Sequence, residues 1–219
     1  MSIMEISHRS KEYEQINDET QQLFHELLEL PADYKVLFMQ GGASTQFTMI
    51  PMNLLTASKT GSYVMTGNWA EKAYEEAQIL GEVSIAASSR TTGLLNMPSL
   101  NNLQLPSNAA YLHMTSNETI SGTQFTQFPN SGNVPLIADM SSDILSRKFD
   151  ASQFSMIYAG AQKNLGPSGV TIVILREELL KDTPKNIPTM LRYSTYLKYN
   201  SLYNTPPVYS VYMLSLIHI

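Results

Sequence analysis

The spacing of hydrophobic residues in the first part of the chain predicts a long surface helix. Between residues 10 and 30, apolar side chains recur every three or four positions, and Glu and Gln fill many of the positions between them. This period matches the 3.6 residues of an α-helical turn, so one face of the helix is expected to pack on a core. Ser7 or Ser10 is the candidate N-cap, and Pro31 follows the predicted end.

Short apolar runs farther along the chain predict a sheet. Strands are expected over 35–40, 62–66, 83–87, 109–114, 136–140, 156–158 and 170–175, and helices over 45–55 and 70–80. Strands that alternate with helices are typical of an α/β fold, here a mostly parallel mixed sheet with helices on both faces. Two polar segments that contain Pro or Gly, 96–108 and 127–133, are expected to be surface loops.

Composition narrows the class of protein. The chain has 219 residues, 43% hydrophobic and 15% charged, which is enough apolar material for a sizeable core. Its net charge of −5 argues against a nucleic-acid partner, and no apolar run approaches the length of a membrane-spanning helix. The absence of cysteine excludes disulfides and thiol catalysis and is compatible with a cytoplasmic location. The four histidines show no metal-ligand spacing, so no metal site is predicted.

One lysine stands out as a candidate for covalent chemistry. Lys163 lies in a loop of small residues between two apolar runs, 156–158 and 170–175. Partial burial there favours the neutral amine that a Schiff base requires. Upstream, the strand over 136–140 ends near Asp139. A lysine paired with a strand-end aspartate is the combination that enzymes dependent on pyridoxal 5′-phosphate (PLP) use. The alternatives are a solvated loop lysine and a turn-capping aspartate.

Further candidate positions are weaker when each is taken alone. The run from Gly41 to Ser44 joins a strand to a helix and could cradle a phosphate, although it matches neither a P-loop nor a Rossmann motif. Trp69, the single tryptophan, follows a strand and could stack on a flat ring; a packed core position is the alternative. Arg9 beside His8 suits an anion, or is an ordinary surface residue.

Taken together, seven segments resemble the phosphoserine aminotransferases, a family of class-V aminotransferases with the PLP-transferase fold of type I. They occur in the family's order and span nearly the whole chain. The segments are 4–10, 39–47, 66–70, 116–122, 138–142, 160–167 and 203–207.

The resemblance implies a role for each candidate residue. Lys163 would bind the cofactor as a Schiff base, and Asp139 would face the pyridine nitrogen. Trp69 would stack on the ring, and Thr119 would contact it. The remaining implied residues are Ala43, Ser44 and Gln162 for the phosphate, Asn204 and Thr205 for the phosphate of a partner subunit in a homodimer, and His8 and Arg9 for the substrate anion.

The activity implied by the resemblance is transamination between L-glutamate and 3-phosphohydroxypyruvate in serine biosynthesis. Two alternatives stay open: another class-V aminotransferase, such as an alanine–glyoxylate type, and a non-catalytic fragment. The resemblance also implies that the chain lacks the family's leading segment and small C-terminal domain. Residues 1–214 would then be an incomplete large domain, and 215–219 a truncated or non-native tail.

Overall fold

The computed structural model describes residues 2–90, 93 and 96–217. Nine strands are found in these ranges. They are β1 Tyr34–Met39, β2 Thr60–Met65, β3 Glu82–Ser88, β4 Ala109–Thr115, β5 Asn117–Glu118, β6 Thr123–Gln124, β7 Leu136–Asp139, β8 Met156–Gly160 and β9 Thr171–Arg176.

The same ranges contain five α-helices and several short 3₁₀ turns. The α-helices are α1 Lys11–Leu27, α2 Gly42–Leu54, α3 Asn68–Leu80, α4 Tyr193–Lys198 and α5 Val208–Ser215. The 3₁₀ turns are Ile3–Glu5, Ala151–Gln153, Glu177–Leu180 and Thr189–Leu191.

Seven strands form one mixed sheet in the order β1-β9-β8-β7-β4-β2-β3, and β5 pairs with β6 as a small antiparallel ribbon. The strands β8, β7, β4, β2 and β3 are mutually parallel, and β9 is antiparallel to both of its neighbours. The expectation of a mostly parallel mixed sheet is therefore confirmed. Except for β9, the strands of this sheet all run in one direction, so their carboxyl ends meet at a single edge.

Alternate residues of each buried strand face two separate apolar layers. In β9, Ile172 and Ile174 pack with Phe24 of α1 and Leu214 of α5, whereas Val173 faces the opposite layer. That opposite layer contains side chains from α2, α3 and α4. Both faces of the sheet are thus covered, and this explains why the central strands read as continuous apolar runs.

The predicted elements match the structure except at their ends. The first helix begins where predicted, because Ser10 Oγ accepts from Tyr13 N, but it ends at Leu27 rather than 30. Glu29 has a φ of 51°, which breaks the helix before Pro31. The helix α2 begins three residues before the predicted 45, because Gly41 with φ 94° turns the chain directly from β1. The ribbon β5–β6 and helices α4 and α5 had no sequence prediction.

Both predicted loops lack helix and strand in the structure. Of the predicted tail at 215–219, Ser215 ends α5 and Ile217 packs on the first apolar layer, whereas 218–219 lie outside the described residues. None of the helices in the described ranges is long and apolar enough to cross a membrane.

Candidate active site

A small cleft opens at the edge where the carboxyl ends of the parallel strands meet. Its volume is about 120 Å³, and its walls come from the segments that follow β1, β2, β4, β7 and β8. A groove of about 570 Å³ lies elsewhere between two loops, but it contains none of the predicted site residues. Ligands of open α/β sheets bind at this carboxyl edge, so the small cleft, and not the larger groove, is the candidate site.

Lys163 lines the cleft, in the turn between β8 and β9 as predicted. Its side chain is half-buried, and its Nζ donates to Thr119 Oγ1 at 2.6 Å. The same Nζ is 5.3 Å from the centre of the Trp69 ring, and Lys72 Nζ lies 4.9 Å from that centre. Three residues that are far apart in the sequence, Lys163, Thr119 and Trp69, therefore meet around one amine.

Asp139 closes the floor of the cleft at the end of β7, and it is 5% exposed. Ser141 donates to its Oδ1 twice, from the backbone N at 2.9 Å and from Oγ at 2.6 Å. The pKa of Asp139 is raised above its usual value, and burial is the largest cause. The Glu118 charge adds to the rise, whereas the Ser141 hydrogen bonds and the Lys163 charge oppose it. A buried carboxyl of this kind favours a cationic partner placed against it.

Neutral groups lie behind Asp139. Tyr158 is its register partner on β8, and His113 Nε2 lies 2.9 Å from the Tyr158 hydroxyl. Burial lowers the pKa of His113 to about 3, so the imidazole is neutral near pH 7. Burial also raises the pKa of Tyr158 well above its usual value, and the Asp139 charge adds to the rise. Asp139 is thus the ionisable acid on this side of the cleft.

The N-terminus of α2 forms another wall of the cleft. No side chain caps this helix, so the backbone N–H groups of its first turn are free to face an anion. Only glycine fits at Gly41, because a Cβ there would lie 2.0 Å from Thr45 Oγ1. Ala43 and Ser44 of this turn line the cleft together with Gln162. The three residues predicted to hold a phosphate are therefore brought together.

The side chains present fit a PLP molecule. A Cβ added at Gly160 would lie 2.9 Å from Gln162 Oε1 and 3.5 Å from Ala43 N, so the bare backbone keeps this phosphate cradle open. Trp69 Nε1 and Thr115 Oγ1 are buried polar atoms without a hydrogen-bond partner in the described part of the chain. An amine, an aromatic face, a buried carboxyl and a free helix N-terminus are the groups that the aldehyde, ring, ring nitrogen and phosphate of PLP require.

Five predicted residues are not among those that line the cleft. One of them, Thr119, contacts the cleft through the hydrogen bond that it accepts from Lys163 Nζ, and the other four make no such contact. Asn204 and Thr205 are exposed and pack on Gln40, which donates to Thr205 O at 2.6 Å. His8 is half-buried and Arg9 is exposed in the turn before α1. None of the four is among the cleft-lining residues of this chain. Their roles toward a partner subunit or a substrate therefore remain predictions.

The sequence reasoning missed several polar residues of the cleft. Ser141 and Ser142 lie two and three residues after Asp139, and Asn117 donates to Ser142 Oγ at 2.8 Å. Ser141 also ties two strands together, since its Oγ accepts from Gly160 N at 3.0 Å. The sequence carried a signal for Ser141, because a hydroxyl residue two positions after a strand-end aspartate is well placed to donate to its carboxylate.

Comparison with known proteins agrees with this geometry. A family description, aminotransferase class-V, matches residues 2–217. A phosphoserine aminotransferase from Niallia circulans is 60% identical over 215 residues, which are 98% of this chain and 59% of that protein. The chain therefore spans about three fifths of the length of this relative.

Solved structures of similar proteins superpose closely. A phosphoserine aminotransferase from Bacillus circulans subsp. alkalophilus has a TM-score of 0.96 and 60% identity, covering 98% of this chain and 60% of the other. A PLP-bound phosphoserine aminotransferase from Trichomonas vaginalis has a TM-score of 0.92 and 36% identity, covering 99% and 65%. The fold expected from the resemblance is confirmed, and the chain belongs to the class-V aminotransferase family.

Proposed function

We propose that this chain carries the cofactor site of a PLP-dependent aminotransferase that converts L-glutamate and 3-phosphohydroxypyruvate into 2-oxoglutarate and O-phospho-L-serine. Residues 1–214 would be its large, cofactor-binding domain. The convergence of Lys163, Asp139 and Trp69 in one cleft is the observation that carries the proposal. The names of the most similar relatives favour phosphoserine over an alanine–glyoxylate substrate pair.

Each wall of the cleft would hold one part of the cofactor. The N-terminus of α2, with Ala43 and Ser44, and the Gln162 side chain would hold the phosphate, because free N–H groups and a positive helix end favour an anion. Trp69 would cover one face of the ring. Bound PLP supplies an electron sink for the substrate's Cα electrons.

Two residues would handle protons. Asp139 would hold a proton at the ring nitrogen, since its buried carboxyl gains a countercharge there. Lys163 Nζ would move the proton from the substrate's Cα to the cofactor's C4′ carbon, since this amine lines the cleft. Thr119 Oγ1 steers this amine, because it accepts from Nζ at 2.6 Å.

A two-step measurement tests the activity. The purified chain is loaded with PLP, its visible spectrum is recorded, and L-glutamate is added while 2-oxoglutarate is assayed. We expect a spectral change and release of 2-oxoglutarate, followed by O-phospho-L-serine on addition of 3-phosphohydroxypyruvate. The Lys163→Ala variant is the blank. Conversion with alanine and glyoxylate alone would favour the other class-V activity, and PLP binding without any conversion would favour the non-catalytic alternative.

Gly160→Ala is expected to weaken PLP binding with little loss of fold. The added methyl group overlaps only the far end of the Gln162 side chain, which would swing away from the phosphate cradle. Loss of that contact should raise the PLP dissociation constant about tenfold. Fluorescence titration with PLP measures the change, and circular dichroism of the variant without cofactor checks that the fold is kept. An unchanged affinity would place the phosphate elsewhere.

Asn204 and Thr205 are proposed to complete the phosphate site of a partner subunit in a homodimer. Both are exposed and away from the cleft of their own chain, which supports a role across an interface. When Asn204→Ala and Lys163→Ala subunits are mixed, each hybrid dimer should contain one intact site. We expect half of the sites in the hybrid dimers to bind PLP covalently at Lys163 with wild-type affinity. Verified hybrids without such a site would show that Asn204 serves its own subunit.

His8 and Arg9 are proposed to bind the substrate anion. Arg9 is exposed, and His8 Nε2 is buried without a partner in the part of the chain that the structure describes. A guanidinium beside an imidazole suits a carboxylate or phosphate group.

A further inference from the structure

We propose that Glu118, a buried carboxylate with no predicted role, is a positioning residue that sets Trp69 in place as the stacking face of the cleft. The inference rests on the proposed function, since it concerns how the cofactor ring is received. Glu118 is 0% exposed and belongs to the ribbon strand β5, which is far in sequence from Trp69.

Three hydrogen bonds connect Glu118 to the segment that carries the tryptophan. Its Oε2 accepts from Trp69 N at 3.1 Å, and its Oε1 accepts from Ala70 N at 3.0 Å and from Thr66 Oγ1 at 3.2 Å. A side chain that accepts with both oxygens and donates nothing behaves as a carboxylate. The carboxylate thus binds the Trp69 backbone directly and its two flanks at the same time.

The helix α3 needs this partner because it has no cap of its own. Gly67 stands at the N-cap position and offers no side-chain oxygen, so the first N–H groups of the helix lack a local acceptor. A negative charge at a helix N-terminus is also favoured by the helix dipole. Glu118 therefore supplies from another strand what Ser, Thr or Asp usually supplies from the N-cap.

The packing around Gly67 shows how closely Glu118 is seated. A Cβ at Gly67 would lie 2.7 Å from Glu118 Cδ and 2.9 Å from its Oε2. The backbone at Gly67 is extended, with φ 167°, so any residue could adopt this conformation. The contact with Glu118 is therefore what requires glycine at this position.

Glu118 also joins two walls of the cleft. The next residue, Thr119, accepts from Lys163 Nζ at 2.6 Å, and Trp69 lies 5.3 Å from that same Nζ. A displaced Glu118 would move both the aromatic face and the hydroxyl that hold the lysine. The distance between the ring face and the amine is thus set by one buried carboxylate.

The first experiment uses the chain without cofactor. Trp69 is the single tryptophan, so fluorescence excited at the red edge of tryptophan absorption, where the twelve tyrosines do not absorb, reports on this residue alone. In Glu118→Gln, one acceptor oxygen becomes an NH₂ group that faces backbone N–H donors, which should release the start of α3. We expect a shifted emission maximum and a larger acrylamide quenching constant. The control is Glu71→Gln, the same change at a partly exposed residue of the same helix turn.

The second experiment adds PLP. We expect the dissociation constant for PLP to rise about tenfold in Glu118→Gln and to stay unchanged in Glu71→Gln. The inference would be overturned if Glu118→Gln had the same Trp69 emission maximum, the same acrylamide quenching constant and the same PLP affinity as the wild type. If the wild-type chain fails to bind PLP, the proposed function fails, and the fluorescence of the cofactor-free chain still decides whether Glu118 positions Trp69.

A second variant covers the case in which Glu118→Gln does not fold. Gly67→Ala keeps the carboxylate and its charge but pushes its atoms away from the helix start. Circular dichroism checks that the variant is folded. A rise in acrylamide quenching of Trp69 like that expected for Glu118→Gln supports the inference, and wild-type quenching in folded Gly67→Ala contradicts it.

Discussion

Replacing Lys163 with alanine is expected to abolish covalent attachment of PLP and to lower transamination by about 10⁴-fold or more, since the nucleophile and the proton carrier are lost together. The amine lines the cleft, where it donates to Thr119 Oγ1 and lies 5.3 Å from the centre of the Trp69 ring. Non-covalent binding of PLP should persist, because the helix N-terminus and the aromatic face are unchanged. The effect is therefore on chemistry rather than on folding.

Borohydride reduction followed by peptide mapping measures this prediction. In the wild-type chain the reduced label should fall on Lys163, and the visible absorbance band should disappear in Lys163→Ala. Lys72 provides a matched control, because its Nζ lies 4.9 Å from the Trp69 ring centre. A label on Lys72, or an unchanged spectrum in Lys163→Ala, would show that the assignment of Lys163 is wrong.

Asp139→Asn is expected to lower turnover by about 10³-fold while it weakens PLP binding by about tenfold. A neutral amide cannot hold a proton at the ring nitrogen, so the electron sink loses its strength. The proposed phosphate site at α2 and the Trp69 face do not depend on this carboxyl, so most of the affinity should be kept. The turnover rate should therefore fall much more than the PLP affinity does.

The direction in which Asp139→Asn changes the stability of the cofactor-free chain follows from the pKa of Asp139. Burial raises the pKa of Asp139, so without cofactor the folded chain holds this proton more tightly than the unfolded chain. Stability is then lost as the pH rises from the usual pKa of about 4 through the raised value. Asp139→Asn removes this penalty. The variant without cofactor should unfold at the same or a higher temperature than the wild type at pH 7.

Three measurements test the Asp139 predictions: the dissociation constant for PLP, the turnover rate, and the unfolding temperature of the cofactor-free chain at several pH values. Asp143→Asn is the control, since Asp143 is also buried but accepts from Ser116 Oγ at 2.5 Å and from Gln124 Nε2 at 3.0 Å instead of lining the cleft. Asp143→Asn should change the stability of the chain but should not lower turnover more than it lowers PLP affinity. Equal losses of affinity and turnover in Asp139→Asn would indicate a structural role.

The sequence predicted the elements that local chemistry decides. The apolar period of the first helix, the Ser10 cap and the β-branched strands were all readable, because backbone geometry and side-chain spacing act over a few residues. The sequence also identified Lys163, Asp139 and Trp69 as candidates, and the structure brings them to one cleft. The parallel arrangement made this expected, since the carboxyl ends of parallel strands share an edge.

Contacts between distant segments required the tertiary structure. Glu118 shows no signal in its own neighbourhood, because its partners Trp69 and Ala70 lie almost fifty positions earlier in the chain. The neutral pair behind Asp139 depends equally on strand order. Sequence by itself determined the seven strands of the main sheet, the helices α1 to α3 and the candidate chemistry, since these follow from local periodicity and residue type. Only the tertiary structure decided which buried polar groups meet, because that depends on the order and register of strands brought together by burial of apolar surface.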